Sequence, residues 1–148
     1  MVATQSMIHP ETVGQNVVVI GGGEVGVEAG MNLAKKGHNV TVLEMVDKLA
    51  AESTMIHYYS MFEEAWLALP TFHAQVNARV TEIQDHCVAY QDKDGLEHSI
   101  PCDTVVVSLG MKALTDEALT FYGSADRFAS SAIARSPPQS SRLCVPPL

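Results

Sequence analysis

The sequence predicts an α/β domain: a parallel sheet with helices on one side and a small antiparallel β-meander on the other. Three observations predict it. Two β-branched runs, 16–20 and 39–44, bracket a helical segment at 24–36, and a third apolar run returns at 104–109. A strand, a helix and a strand in that order form a right-handed crossover with parallel neighbours. Between the second and third runs lie short strand-like segments punctuated by Asp92-Lys93-Asp94-Gly95, a hairpin turn.

Each element has a local reason. Residues 1–15 show no period and carry Pro10 and Gly14, so they read as a lead-in or linker to a domain over 16–128. Within 16–20 the run from Val17 to Ile20 is continuously apolar, as expected of a strand covered on both faces. In 24–36, Gly26, Gly30, Leu33 and Ala34 share one helix face, and Lys35-Lys36-Gly37 makes a favourable C-terminus. Met55, Tyr58, Tyr59, Phe62, Ala65, Trp66 and Leu69 recur at helical spacing before Pro70, a stripe expected to pack into the core. His57 and His73 read as ordinary side chains. The segments 75–83, 87–91 and 96–100 read as the meander, and 104–109 as a buried strand ending at Gly110. Residues 129–148, with "SPPQSS" and "VPPL", read as a disordered or loosely attached tail.

Composition narrows the function classes. The chain has 148 residues, 47% of them apolar, which suits one packed domain. Its apolar runs last only a few residues, far short of the roughly 20 of a membrane span, and no secretory pattern opens it. A formal charge of −8 argues against nucleic acid as a partner. Cys87, Cys102 and Cys144 are odd in number and form no Cys-x-x-Cys pair, as expected of reduced thiols in a cytoplasmic protein. The six histidines show no metal-ligand spacing, so no metal site is expected.

Gly21-x-Gly23-x-x-Gly26 follows the first strand and opens the helix. The first glycine permits the tight turn, the second lets backbone approach a pyrophosphate, and the third brings helix and strand together. The helix N-terminus then offers N–H groups and partial positive charge to the phosphates. The second strand ends in Glu44, 18 residues beyond Gly26, where a carboxylate accepts hydrogen bonds from a ribose diol. Together these features predict a Rossmann-like domain that binds NAD(H).

"GGGEVGVEAGMNLA" resembles the pyridine-nucleotide subdomain of flavoproteins with two dinucleotide sites. "HYYSMFEEAWLA", "DGLEHSIPCDTVVVSLGMK" and "TDEALTFYGSADRF" resemble the C-terminal region of old-yellow-enzyme-related flavin oxidoreductases, the group of 2,4-dienoyl-CoA reductases, enoate reductases and NADH oxidases. The resemblance covers roughly 14–128. It implies that NAD(P)H reduces FAD, with electrons passing through an iron–sulfur cluster to FMN and then to an activated C=C bond. It further implies that Gly21, Gly23 and Gly26 meet the pyrophosphate, that Glu44 meets the adenosine ribose, and that the loop after Gly110 passes near the nucleotide. Glu28 matches an acidic position close to nicotinamide and flavin, and reads equally as a surface carboxylate. The flavin-binding version of the motif usually carries Pro-Ala where Glu24-Val25 stand, which favours the nicotinamide subdomain. With Met45 these residues complete the candidate cofactor set, and no catalytic residue is assigned.

The sequence also departs from the group. The FMN barrel, the cysteine cluster and an FAD fingerprint are absent from it. Ala113 follows Lys112 where the group tends to have proline, and "ASSAIARS" follows "DRF" in place of an apolar pair and Gly-Asp. The expectation is a domain fragment that is inactive alone and whose partners are the missing flavin-binding domains. A non-enzymatic scaffold of the same fold is the alternative. A complete small dehydrogenase is disfavoured, because no general acid–base constellation stands out.

Overall fold

Val17, Val18, Val19 and Ile20 are four successive β-branched residues, stiff at χ1 and suited to a pleated strand. The computed structural model describes residues 1–54, 56, 64–110 and 115–124. Its strands are β1 (Asn16–Ile20), β2 (Asn39–Leu43), β3 (Phe72–Gln75), β4 (Arg79–Ile83), β5 (Cys87–Gln91), β6 (Glu97–Pro101) and β7 (Thr104–Val107). A parallel sheet has the order β3-β2-β1-β7, and an antiparallel sheet the order β4-β5-β6.

Alternation along β1 explains its unbroken apolar run. Val17 and Val19 pack in a cluster with Val40, Val42, Val106 and the helical Val27, Ala29, Leu33 and Ala34. Val18 and Ile20 face the other way, into a cluster with Leu43, Val88, Tyr90 and Cys102. The central sheet is thus sandwiched between helices and meander, and each fully buried valine contributes about 1.5–3 kcal/mol.

The long helix, α2 (Glu24–Lys35), stops where the sequence predicts. Gly37, at φ +95°, donates its N–H to Ala34 O at 3.0 Å, and His38 donates to Leu33 O at 3.2 Å. That pair of bonds is a Schellman motif. The aromatic stripe lies partly outside the described residues, which omit 55 and 57–63. Of its described members, Ala65, Trp66 and Leu69 pack against the helix-side core, and Trp66 stacks on Phe72 with centroids 6.1 Å apart.

Two expectations are corrected. Residues 75–83 are not one strand: Phe72–Gln75 joins the parallel sheet beside β2, and the chain turns at Asn77, φ +53°, before β4. The lead-in is structured too. A short helix, α1 (Ala3–Ile8), packs on α2 with Ala3 and Ser6 buried, and the Ser6 hydroxyl donates to Ala3 O at 2.8 Å. Met1 and Val2 line the outer edge of β7 through Met1 N to Val105 O at 2.9 Å and Val107 N to Met1 O at 2.8 Å.

The predicted hairpin turn carries a polar lock. Asp92 Oδ1 accepts N–H bonds from Asp94 at 2.9 Å and Leu96 at 3.0 Å, while Oδ2 lies 2.7 Å from His98 Nε2. The His98 ring stacks on Tyr90, its cross-strand neighbour. The His98 hydrogen bond, aided by the two N–H groups, holds the Asp92 carboxyl below its ordinary range. A carboxyl depressed by folding stabilises the fold above its unfolded titration point and loses that effect as pH falls through its folded one. A carbon-13 titration of Asp92 is expected to give a midpoint below that of free aspartate, rising toward it in His98→Ala. An identical midpoint in both chains would show that the lock does not form.

The chain divides into two compact units, Met1–Leu109 and Gly110–Leu148. In the second, Gly110 has φ +85° and a short helix spans Thr115–Leu119. The tail expected at 129–148 and the Lys112-Ala113 departure lie outside the described residues. No described helix is long and apolar enough to cross a membrane.

Candidate functional site

The sheet order puts β2 on one side of β1 and β7 on the other, with α2 leaving toward β2. Ligands of open α/β sheets bind in the crevice outside the carboxyl ends of strands at such a switch. The glycine motif occupies that point. Gly21 extends β1 by donating its N–H to Leu43 O at 2.9 Å, then turns at φ +98°. A Cβ here would collide with the Ser108 carbonyl at the end of β7. Gly26 is buried, and a Cβ on it would strike the Gly21 carbonyl and lie 3.3 Å from Ser108 Cβ. These two glycines let β1, α2 and the end of β7 pack together.

Gly23 is different. It caps α2 at φ −66° and ψ 176° with no side-chain cap hydrogen bond, and a Cβ on it would meet nothing within 4 Å. The turn is therefore crowded behind Gly21 and Gly26 and open in front of Gly23. An N-terminus without a capping side chain keeps its first N–H groups for another acceptor.

Glu44 leaves the end of β2 half-buried and closes back over the turn. Its Oε2 accepts the Gly22 N–H at 2.6 Å and its Oε1 accepts the Val46 N–H at 3.0 Å. Charge-assisted bonds to both oxygens fix the carboxylate, and each oxygen retains acceptor capacity. Gly22 is gripped from several sides: its carbonyl accepts the Ala50 N–H at 2.7 Å, and a Cβ would run into Leu49 Cδ2 and lie 2.9 Å from Glu44 Cβ.

Glu24, Val25, Glu28 and Met45 are exposed, Met45 at 69%. Glu24 accepts a hydrogen bond from Ser53 at 2.5 Å. Gly110 begins the second unit. Sequence reasoning missed Ser108, whose signal is only its place after a buried strand, and the segment Leu49, Ala50 and Ser53. Gly22 had a signal in the triple glycine.

Residues 2–126 match the family model described as pyridine nucleotide-disulphide oxidoreductase. The chain belongs to that family. It is 34% identical over 103 residues to an NADH oxidase of Thermoanaerobacter brockii, a match covering 70% of this chain and 16% of that protein. A bilirubin reductase of Mediterraneibacter gnavus is also 34% identical, over 106 residues, with the same shares covered. Among solved structures, a 2-naphthoyl-CoA reductase complex superposes with a TM-score of 0.67 at 26% identity, covering 74% of this chain and 16% of that one. The chain thus spans about a sixth of the length of these relatives.

Membership of the pyridine nucleotide-disulphide oxidoreductase family implies NAD(P)H and FAD as the cofactors of the family. The residues present fit a dinucleotide. The open face of Gly23 admits a pyrophosphate, the head of α2 supplies N–H groups, and Glu44 stands one turn residue away with spare acceptor capacity.

Proposed function

We propose that this chain is the NAD(H)-binding domain of an NADH-dependent flavin oxidoreductase of the old-yellow-enzyme-related group. In the whole enzyme, hydride passes to FAD and serves the reduction of an activated C=C bond elsewhere. The observation that carries the reading is the open face of Gly23 beside a fixed carboxylate at the end of β2. The NADH oxidase and 2-naphthoyl-CoA reductase relatives support the choice of group.

NAD(H), when bound, supplies a hydride. The chain's own residues bind and orient it. Gly21 and Gly26 hold the turn, Gly23 leaves the pyrophosphate its space, and Glu44 accepts bonds from the ribose hydroxyls. Glu24, Val25, Glu28 and Met45 border the cofactor. FAD, FMN and an iron–sulfur cluster belong to other parts of the whole enzyme, because only one glycine fingerprint stands in this sequence. Hydride transfer needs an acceptor in near-attack geometry, so the chain alone binds NADH and does not consume it.

Calorimetry of the full chain with NADH is the test. Saturable one-to-one binding without NADH oxidation is expected. Absence of binding, stoichiometric flavin in the purified chain, or rapid NADH consumption without additives would each overturn the proposal.

A further inference from the structure

We infer that Asn77 is a positioning residue for cofactor choice: its left-handed backbone clamps the segment 44–46 and so fixes the Glu44 carboxylate that reads the ribose. The inference rests on the NAD(H)-binding reading above and adds a residue to it.

Glu44 stands one residue past the end of β2, where the ladder with β3 finishes at Leu43 and Gln75. A carboxylate at a strand end discriminates between ligands only if the backbone that carries it is held. Beyond Leu43, the turn that follows β3 does the holding. Gln75 O accepts the Glu44 N–H at 3.0 Å, Ala78 donates its N–H to Glu44 O at 2.8 Å, and Asn77 donates its N–H to Val46 O at 2.9 Å. Both backbone polar groups of Glu44 are thus taken up by this turn. Val46 matters as well, because its own N–H donates to Glu44 Oε1 at 3.0 Å. Asn77 therefore holds the residue that anchors one carboxylate oxygen, while the Gly22 N–H anchors the other at 2.6 Å.

The clamp depends on one backbone conformation. In an extended strand successive N–H groups point to opposite edges, so two neighbours could not both donate to one adjacent segment. Asn77 breaks the extension at φ +53°, and the N–H groups of Asn77 and Ala78 then both meet carbonyls of 44–46. Left-handed backbone strains most residues, β-branched ones above all, whereas glycine adopts it freely and asparagine tolerates it. Ala78 is buried at 2% exposure, which leaves the turn little room to shift as a body. The residue type at 77 thus decides whether the clamp closes.

The test compares the unmodified full chain with Asn77→Gly, Asn77→Ala and Asn77→Val. Calorimetry reads the NADH and NADPH affinities, and amide hydrogen exchange reads the Gly22 and Val46 N–H groups. Asn77→Val is expected to narrow the NADH-to-NADPH affinity ratio about threefold or more, the scale of one lost hydrogen bond, and to speed exchange at both amides. Asn77→Ala should do the same to a smaller degree, and it carries the test if the valine chain does not fold. Asn77→Gly admits the same φ and should keep both the ratio and the protection. In a Glu44→Ala background, Asn77→Val should narrow the ratio no further. If the folded variants keep the unmodified ratio, or weaken both nucleotides equally, the turn is plain structure and the inference is overturned. A glycine variant as impaired as the valine one overturns it too, and so does further narrowing in the Glu44→Ala background. An unmodified chain that fails to bind NADH would overturn the binding proposal and this inference together. Equal binding of the two nucleotides by the unmodified chain, or the wrong pattern among variants, would overturn this inference alone.

Discussion

Gly21→Ala is expected to destabilise the chain by about 3 kcal/mol or more, a scale set by left-handed strain plus a buried clash. Gly23→Ala, two residues on, is expected to leave folding intact and remove most of the nucleotide affinity. At Gly21 the backbone has φ +98°, and the new Cβ would meet the Ser108 carbonyl, a rigid neighbour in the last parallel strand's exit. Neither problem has a cheap relaxation, because the shift would have to pass through β1 or β7. The thermal midpoint should fall by about 10 °C or more. Gly23 has φ −66°, which any residue adopts, and its Cβ would meet no atom within 4 Å. Its midpoint should move by no more than about 2 °C, within the range of surface substitutions.

The two variants separate a structural turn from a ligand cradle. A turn that exists only to join β1 to α2 needs glycine at Gly21 and Gly26 and tolerates alanine at Gly23. A pyrophosphate pressed against the backbone also forbids the Gly23 Cβ, so NADH affinity should drop about tenfold or more, or about 1.4 kcal/mol. Thermal scans and calorimetry on both variants check this. Full NADH affinity in Gly23→Ala would place the ligand elsewhere or show that there is none.

What the sequence announced and what it concealed divide by range of interaction. The run Val17–Val19, the end of α2 at Gly37 and the Asp92 turn are specified by neighbours within a few residues, and each appears where its local pattern puts it. β3 was hidden because its partner is β2, about thirty residues earlier, and because His73 and Ala74 carry no alternation to separate it from the meander. The helix at Ala3–Ile8 was hidden for a related reason: Ala3 and Ser6 are buried by α2, not by any period of their own. The site shows the same division. Glu44 was legible from its spacing after Gly26. Its bonds to the Gly22 and Val46 N–H groups, and the left-handed Ala50 that pins the following segment, have no signature in residue type.

The chain is expected to bind NADH at least tenfold more tightly than NADPH, with the preference collapsing in Glu44→Ala. In the proposed site the Glu44 carboxylate faces the adenosine ribose, and its oxygens are anchored by Gly22 and Val46 N–H groups at 2.6 and 3.0 Å. Anchoring matters because a free carboxylate could swing aside to admit a second anion, whereas this one would leave two N–H groups without acceptors. Ribose hydroxyls bring donors to its remaining lone pairs. The 2′-phosphate of NADPH brings acceptors and negative charge instead. Two unit charges 4 Å apart repel by about 4 kcal/mol at an effective dielectric of 20, and the forfeited hydroxyl bond adds about 1 kcal/mol. Relaxation and counter-ions reduce that sum, and tenfold requires only about 1.4 kcal/mol to survive. Because Glu44→Ala also strips the anchoring acceptor from Gly22, its thermal midpoint should fall as well. Glu44→Gln is the control for that loss: it keeps one carbonyl acceptor and the side-chain length while removing the charge, so its NADH-to-NADPH ratio should shrink toward that of Glu44→Ala with a smaller loss of stability. Calorimetry with both nucleotides decides the matter. Equal affinities in the unmodified chain, or a ratio that survives both substitutions, would mean that Glu44 only fastens the glycine turn and that the ribose is read by some other group.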